Sequence, residues 1–179
     1  MFIFMNPTAR NVSTQKNWKG LRAPWLGTKN VWNIFYKLKL LSKSSFEKTQ
    51  KIKPEEWTRG FANSIYSELK SKKVFVTNLA KCTQLDARPL KNTIFKNYLD
   101  LMFQEIALIN PQNIISFGNQ ISSILLGKSV SVSDYVGTKN EVLKIRNKMF
   151  RVYPTHYPVG QGRRNMTLAA QRIKKVLKS

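Results

Sequence analysis

Val74-Phe75-Val76-Thr77-Asn78 is an apolar, β-branched run with no polar interruption until it meets an amide, the pattern of a strand buried on both faces of a parallel sheet. Three other segments have the same form. Phe2-Ile3-Phe4-Met5 runs into Asn6-Pro7, Asn113-Ile114-Ile115-Ser116-Phe117 into Gly118-Asn119, and Phe150-Arg151-Val152-Tyr153-Pro154-Thr155 into His156. With helical stretches between them, these runs predict a three-layer α/β/α fold around a mainly parallel four-stranded central sheet. In an open α/β sheet, ligands sit beyond the carboxyl ends of the strands, which singles out Asn6, Asn78 and His156.

The 179 residues suit a single domain, 1–179, long enough to bury a core around such a sheet. Lys and Arg number 31 against nine Asp and Glu, a net charge of +22 that exceeds what solubility requires and points to a polyanion, nucleic acid first. The chain is read as a monomer with no membrane partner. One cysteine, Cys82, excludes an internal disulfide and any cysteine-built zinc or iron–sulfur cage, and fits an intracellular setting, cytoplasm, nucleoid or nucleus. No apolar run approaches the ~20 residues of a membrane span. The Asn-x-Ser/Thr triplets at Asn11 and Asn165 are then chance.

Other chemistries are excluded by spacing. Gly127-Lys128-Ser129 mimics the tail of a phosphate loop, but Ser122 stands where that loop needs glycine, and the triplet closes a helix instead of opening one. No Gly-x-Gly-x-x-Gly follows a strand, which argues against a dinucleotide. A nuclease would need a carboxylate pair at the strand ends for magnesium, and the nearest candidates, Asp86 and Asp134, fall in loops. No metal and no cofactor is expected.

Between the strands, Thr28 precedes a helix with Val31, Trp32, Phe35 and Leu38 inward, and 42–53 reads as a solvated connection. Pro54-Glu55-Glu56 opens a helix with Trp57, Phe61, Ile65 and Leu69 at spacing four. One helix carries Ile94, Phe95, Tyr98, Leu101, Met102, Glu105 and Ile106, and Val142–Asn147 reads as an edge strand or hairpin arm. The terminal helix turns Leu168, Ile173, Val176 and Leu177 inward and Arg172, Lys174, Lys175 and Lys178 to solvent. Cys82 is a small buried filler. The polar stretch 7–27, ending in Pro24-Trp25-Leu26-Gly27, is long for a compact domain, and loops of that kind are usually functional. Trp25 either packs on the core or offers a stacking face.

Strand-Asn-Pro, Pro-aromatic-x-Gly, Val-x-Thr-Asn and Pro-Thr-His in this order resemble the uracil-DNA glycosylase superfamily over nearly the whole chain. Met5-Asn6-Pro7-Thr8 resembles its first motif, and Val31-Trp32-Asn33-Ile34-Phe35-Tyr36 the mismatch-specific branch. Val76-Thr77-Asn78-Leu79-Ala80-Lys81-Cys82 resembles the iron–sulfur branch, whose other three cluster cysteines have no counterpart here, so no cluster is expected. Tyr157 departs from the family, which usually places proline after the histidine.

The resemblance implies a monofunctional DNA glycosylase that hydrolyses the N-glycosidic bond of uracil, or of other deaminated or 5-substituted bases, in DNA and so initiates base excision repair. It makes Asn6, which holds the water, and His156, which meets the leaving base, the catalytic residues. Thr8, Trp25 and Asn78 would bind the flipped base. Arg10, Gln161, Arg163 and Arg164 would contact DNA, with Val159, Gln161 or Arg163 filling the vacated stack. The alternative is a non-catalytic nucleic-acid-binding protein on the same fold.

Overall fold

The computed structural model describes residues 1–85, 90–158 and 164–179. Along the chain come β1 (Phe2–Phe4), α1 (Lys29–Lys37), α2 (Lys43–Lys51), α3 (Arg59–Ser71), β2 (Val76–Asn78), α4 (Asn92–Lys96) and α5 (Leu99–Ile109). They are followed by β3 (Asn113–Phe117), α6 (Asn119–Leu126), β4 (Glu141–Ile145), β5 (Lys148–Thr155) and α7 (Met166–Val176). Contacts divide the chain into two compact units, one of Met1–Met5, Val76–Lys81 and Pro89–Ser179, the other of Asn6–Phe75 and Cys82–Arg88.

The first unit holds the sheet, in the order β2-β1-β3-β5-β4. The first four are mutually parallel, as their apolar runs predict, and β4 makes a fifth by pairing antiparallel with β5, from Ile145 opposite Lys148 to Glu141 opposite Val152. The expected count of four is thus corrected to five, because the hairpin arm joins the same sheet. β1 lies between β2 and β3, and the connections leaving β1 and β3 run in opposite directions across the sheet. That switch point is where open α/β sheets bind ligands.

Register fixes which side chains share a face, since partners across a parallel ladder point the same way. One row is Thr77, Ile3, Ser116 and Pro154. Its face is covered by α5 and α6: the Thr77 hydroxyl donates to Glu105 at 3.0 Å, and the Ser116 and Ser122 hydroxyls meet at 2.8 Å. The Gln120 amide, at the start of α6, donates to Leu90 O and to Asn92 Oδ1 at the start of α4, each at 2.9 Å. Right-handed crossovers explain the shared face, because β2 to β3 and β3 to β5 advance in the same direction. The next row, Asn78, Phe4, Phe117 and Thr155, points to the opposite face at the carboxyl edge. Two sequence expectations change in this unit. The helix expected over 94–106 is divided at Asn97 and Tyr98, where Tyr98 N–H bonds back to Phe95 O at 3.0 Å and tightens the turn. Arg172 is buried, not solvated, on the same inward stripe of α7 as Ala169, Ile173 and Val176.

The second unit is helical. Trp32 of α1 is its centre, buried against Trp57, Phe35 and Tyr66 with ring centroids 6.2, 5.8 and 6.0 Å away. Thr28 stands at the N-cap of α1 without a side-chain cap bond. The connection expected over 42–53 is instead α2, capped by Ser42 Oγ, which accepts from Ser45 N–H at 3.2 Å, and only Thr49 of it is buried. Pro54–Glu56 forms a separate 3₁₀ turn, because Trp57 leaves the helical conformation to enter the core. α3 starts afresh at Arg59, where Thr58 Oγ1 accepts from Phe61 N–H at 3.2 Å. Cys82 is half-buried, not the buried filler expected.

Candidate active site

In the first unit, Asn78 and His156 stand at the carboxyl ends of β2 and β5, at either end of the row formed by Asn78, Phe4, Phe117 and Thr155. With ~4.8 Å between strands, that row spans about 14 Å. Its middle is aromatic: Phe4 stacks on Phe117 at 4.3 Å, and the half-buried Tyr157 meets Phe4 edge-on at 6.2 Å. Burial raises the pKa of the Tyr157 phenol well above its usual value, so the hydroxyl stays protonated. Gly118 makes the arrangement possible. Its φ of 86° at the turn from β3 into α6 is a conformation that side chains rarely adopt, and its N–H donates to Thr155 O at 2.8 Å.

Asn78 is 4% exposed, and its Oδ1 is fully buried without a hydrogen-bond partner among the described residues. A buried carbonyl left unpaired costs roughly 1–3 kcal/mol. The backbone beneath it is strapped down. Lys81 Nζ donates to Asn78 O at 2.7 Å, to Thr77 Oγ1 at 2.6 Å and to Glu105 Oε2 at 2.6 Å. Asn78 can therefore hold its position while its amide stays unused. His156 is half-buried and makes no hydrogen bond to a described residue, which leaves its ring nitrogens available.

The second unit carries Asn6, Thr8, Arg10 and Trp25. Asn6 is buried two residues beyond β1. Its Nδ2 donates to Pro7 O at 3.1 Å, and its Oδ1 accepts no hydrogen bond from a described residue. Thr8 is half-buried and pairs in parallel with Gln84, through Gln84 N–H to Pro7 O at 3.0 Å and Ala9 N–H to Gln84 O at 2.8 Å. Arg10 is exposed.

Residues 7–28 are fastened from within. The buried Asn11 side chain donates to Ala23 O at 3.2 Å and accepts from Ser13 N–H at 3.1 Å, while the Arg22 guanidinium reaches Ser13 O. Val12 N–H bonds Leu26 O at 2.7 Å, and a Cβ on Gly27, at φ 84°, would meet Val12 Cγ2 at 2.4 Å, so a side chain there would be both crowded and strained. Trp25 is held in the left-handed region, φ 73°, and is 7% exposed. A large side chain keeps such a conformation only where its surroundings impose it.

Arg164 is exposed ahead of α7. Gln161 and Arg163, read as DNA contacts, and Val159 and Asp86 lie outside the described residues. Among the described residues, no three His, Cys, Asp or Glu side chains converge as a metal site would need, and no helix is long and apolar enough to cross a membrane. Sequence reasoning missed the Lys81–Glu105 strap. A carboxylate on the apolar stripe of α5 was the available signal, since a charge on a buried face needs a partner.

A family model for the uracil DNA glycosylase superfamily matches residues 1–179, while no curated protein matches the chain. The match runs through every strand end described above, from Asn6 beyond β1 to His156 beyond β5, and on that basis the chain belongs to the uracil DNA glycosylase superfamily.

Proposed function

We propose that the protein is a monofunctional DNA glycosylase that removes uracil from DNA, and that it acts as a monomer. The observation that carries this reading is the buried amide of Asn78, whose Oδ1 has no hydrogen-bond partner among the described residues, at a sheet edge lined by aromatic rings. A glycosidic bond inside a stacked duplex is unreachable, so the base must leave the helix. An amide offers one acceptor and one donor face, which complement N3–H and O4 of uracil and mispair with cytosine.

Hydrolysis breaks the bond between N1 and C1′, the electron pair departing with the base while water adds to C1′ and releases its proton. Charge on the leaving uracil exists only late in this step, so a donor near O2 lowers the barrier without tightening ground-state binding. His156, whose ring nitrogens bond to no described residue, serves as that donor. Asn6 offers Oδ1 to orient the water. An amide is not an effective base near neutral pH, so the attack relies on the positive character of the sugar, and turnover is slower than with a carboxylate.

The test is incubation with oligonucleotides carrying one uracil, followed by alkaline cleavage of abasic sites. Strand scission at the uracil supports the glycosylase. Tight binding without scission would support the alternative, a base-recognising protein without activity. Binding itself should weaken steeply with salt, because a chain of net charge +22 displaces counterions from the phosphates. A flat salt titration of fluorescence anisotropy would count against DNA as the partner.

Thr8 bears on specificity. If it lies against C5 of the base, its small side chain leaves room for a substituent, and discrimination rests on a contact of about 1–3 kcal/mol. The protein is then expected to release 5-hydroxymethyluracil measurably, and Thr8→Tyr to suppress that release while sparing uracil. Equal suppression of both bases, or rejection of every 5-substituted base by the unaltered protein, removes Thr8 from that wall.

A further inference from the structure

Among the described residues, the last residues of β5 are paired with a strand on one side only. β4 stops at Glu141 opposite Val152, while β3 accompanies β5 to Phe117 opposite Thr155. On the uncovered edge stands Pro154, which has no N–H to leave unpaired but has a carbonyl that needs a donor. Arg172 of α7 supplies it, its Nε donating to Pro154 O at 2.9 Å. The other arms of the guanidinium donate to Gly137 O at 2.8 Å and Lys139 O at 2.5 Å, and its central carbon stands 5.9 Å from the Tyr135 ring centroid.

Arg172 is 6% exposed and has no carboxylate partner among the described residues. A buried cation satisfied by carbonyls alone is costly beside an apolar side chain of similar volume, so packing does not explain it. What the planar fork adds is geometry: rigid donors that cross from α7 to β5 and to the 137–139 turn at once.

We propose that Arg172 is a positioning residue for His156, fixing the end of β5 two residues before the imidazole. The functional part of this inference rests on the reading of His156 as the donor to the leaving base. A misplacement of about 1 Å at a catalytic group can lower a rate on the order of 100-fold.

In Arg172→Met, single-turnover cleavage of a uracil oligonucleotide is expected to fall by roughly 30- to 100-fold with DNA affinity nearly unchanged. In the His156→Ala background the same substitution should add almost nothing, because two changes that act through one group are not additive. An equal loss in both backgrounds would mean general damage and overturn the proposal.

The chain has one histidine, so the imidazole NMR signals report on His156 alone and need no activity. They should shift and broaden or split in Arg172→Met, and unchanged signals in a folded variant also overturn the proposal. If the native protein cuts no uracil, the glycosylase reading fails while these signals still decide the positioning role. If Arg172→Met does not fold, Arg172→Lys, which keeps the charge and one donor, takes its place. Native rate and native ring signals in that variant overturn the proposal, and intermediate ones support it.

Discussion

Replacing His156 with alanine is expected, on the proposed function, to lower turnover on a uracil-containing oligonucleotide by ~100-fold or more, a loss of about 2.7 kcal/mol in transition-state stabilisation. Affinity for DNA should stay nearly unchanged, because in the proposed mechanism the interaction removed is made with charge that appears only as the bond breaks. The fold tolerates the change, since His156 is half-buried and bonds to no described residue. Single-turnover rates and binding isotherms on the same oligonucleotide separate the terms. A parallel loss of binding and rate, or an unaffected rate, would remove His156 from the chemistry.

Asn78→Ala has the larger expected effect on kcat/KM, a fall on the order of 1,000-fold, because the proposed reading commits both faces of the amide to the base and hydrogen-bonding sites discriminate more sharply than apolar ones. Stability moves the other way. Deleting a buried acceptor that has no partner among the described residues removes a penalty, while the Lys81 strap, which grips the main-chain carbonyl, remains. The melting temperature therefore holds or rises by up to roughly 4 °C for a chain of this size. Calorimetry beside kinetics checks both halves. A marked drop in melting temperature would make Asn78 a structural amide that caps its strand.

The strand ends were legible because a buried strand writes its pattern locally: four short apolar runs, each stopping at a polar residue or glycine, gave the parallel sheet and put Asn78 and His156 at its edge. α2 was not legible. Apart from Phe46 and Glu47 its residues are Ser, Lys, Thr and Gln, only Thr49 is buried, and Glu68 takes the Ser42 N–H and hydroxyl from 26 residues away. No apolar period could have revealed it. Trp57 split the expected helix start because packing of one aromatic outweighed local propensity. The strap of Lys81 and Glu105 joins residues 24 apart, and Arg172 reaches Pro154 from 18 away. Such pairings are set by topology, yet each left a trace, a charged residue on an otherwise inward stripe.

The fastening within residues 7–28 also bears on where the chain can be produced. Asn11-Val12-Ser13 is a glycosylation acceptor by sequence, and its amide is the group that donates to Ala23 O inside the loop. An oligosaccharide attached to Asn11 during translocation into an endoplasmic reticulum would have no room beside a side chain that is 3% exposed once the loop closes. Expression through a eukaryotic secretory route would then yield a chain unable to form this segment, whereas a chain made without glycosylation has no such obstacle.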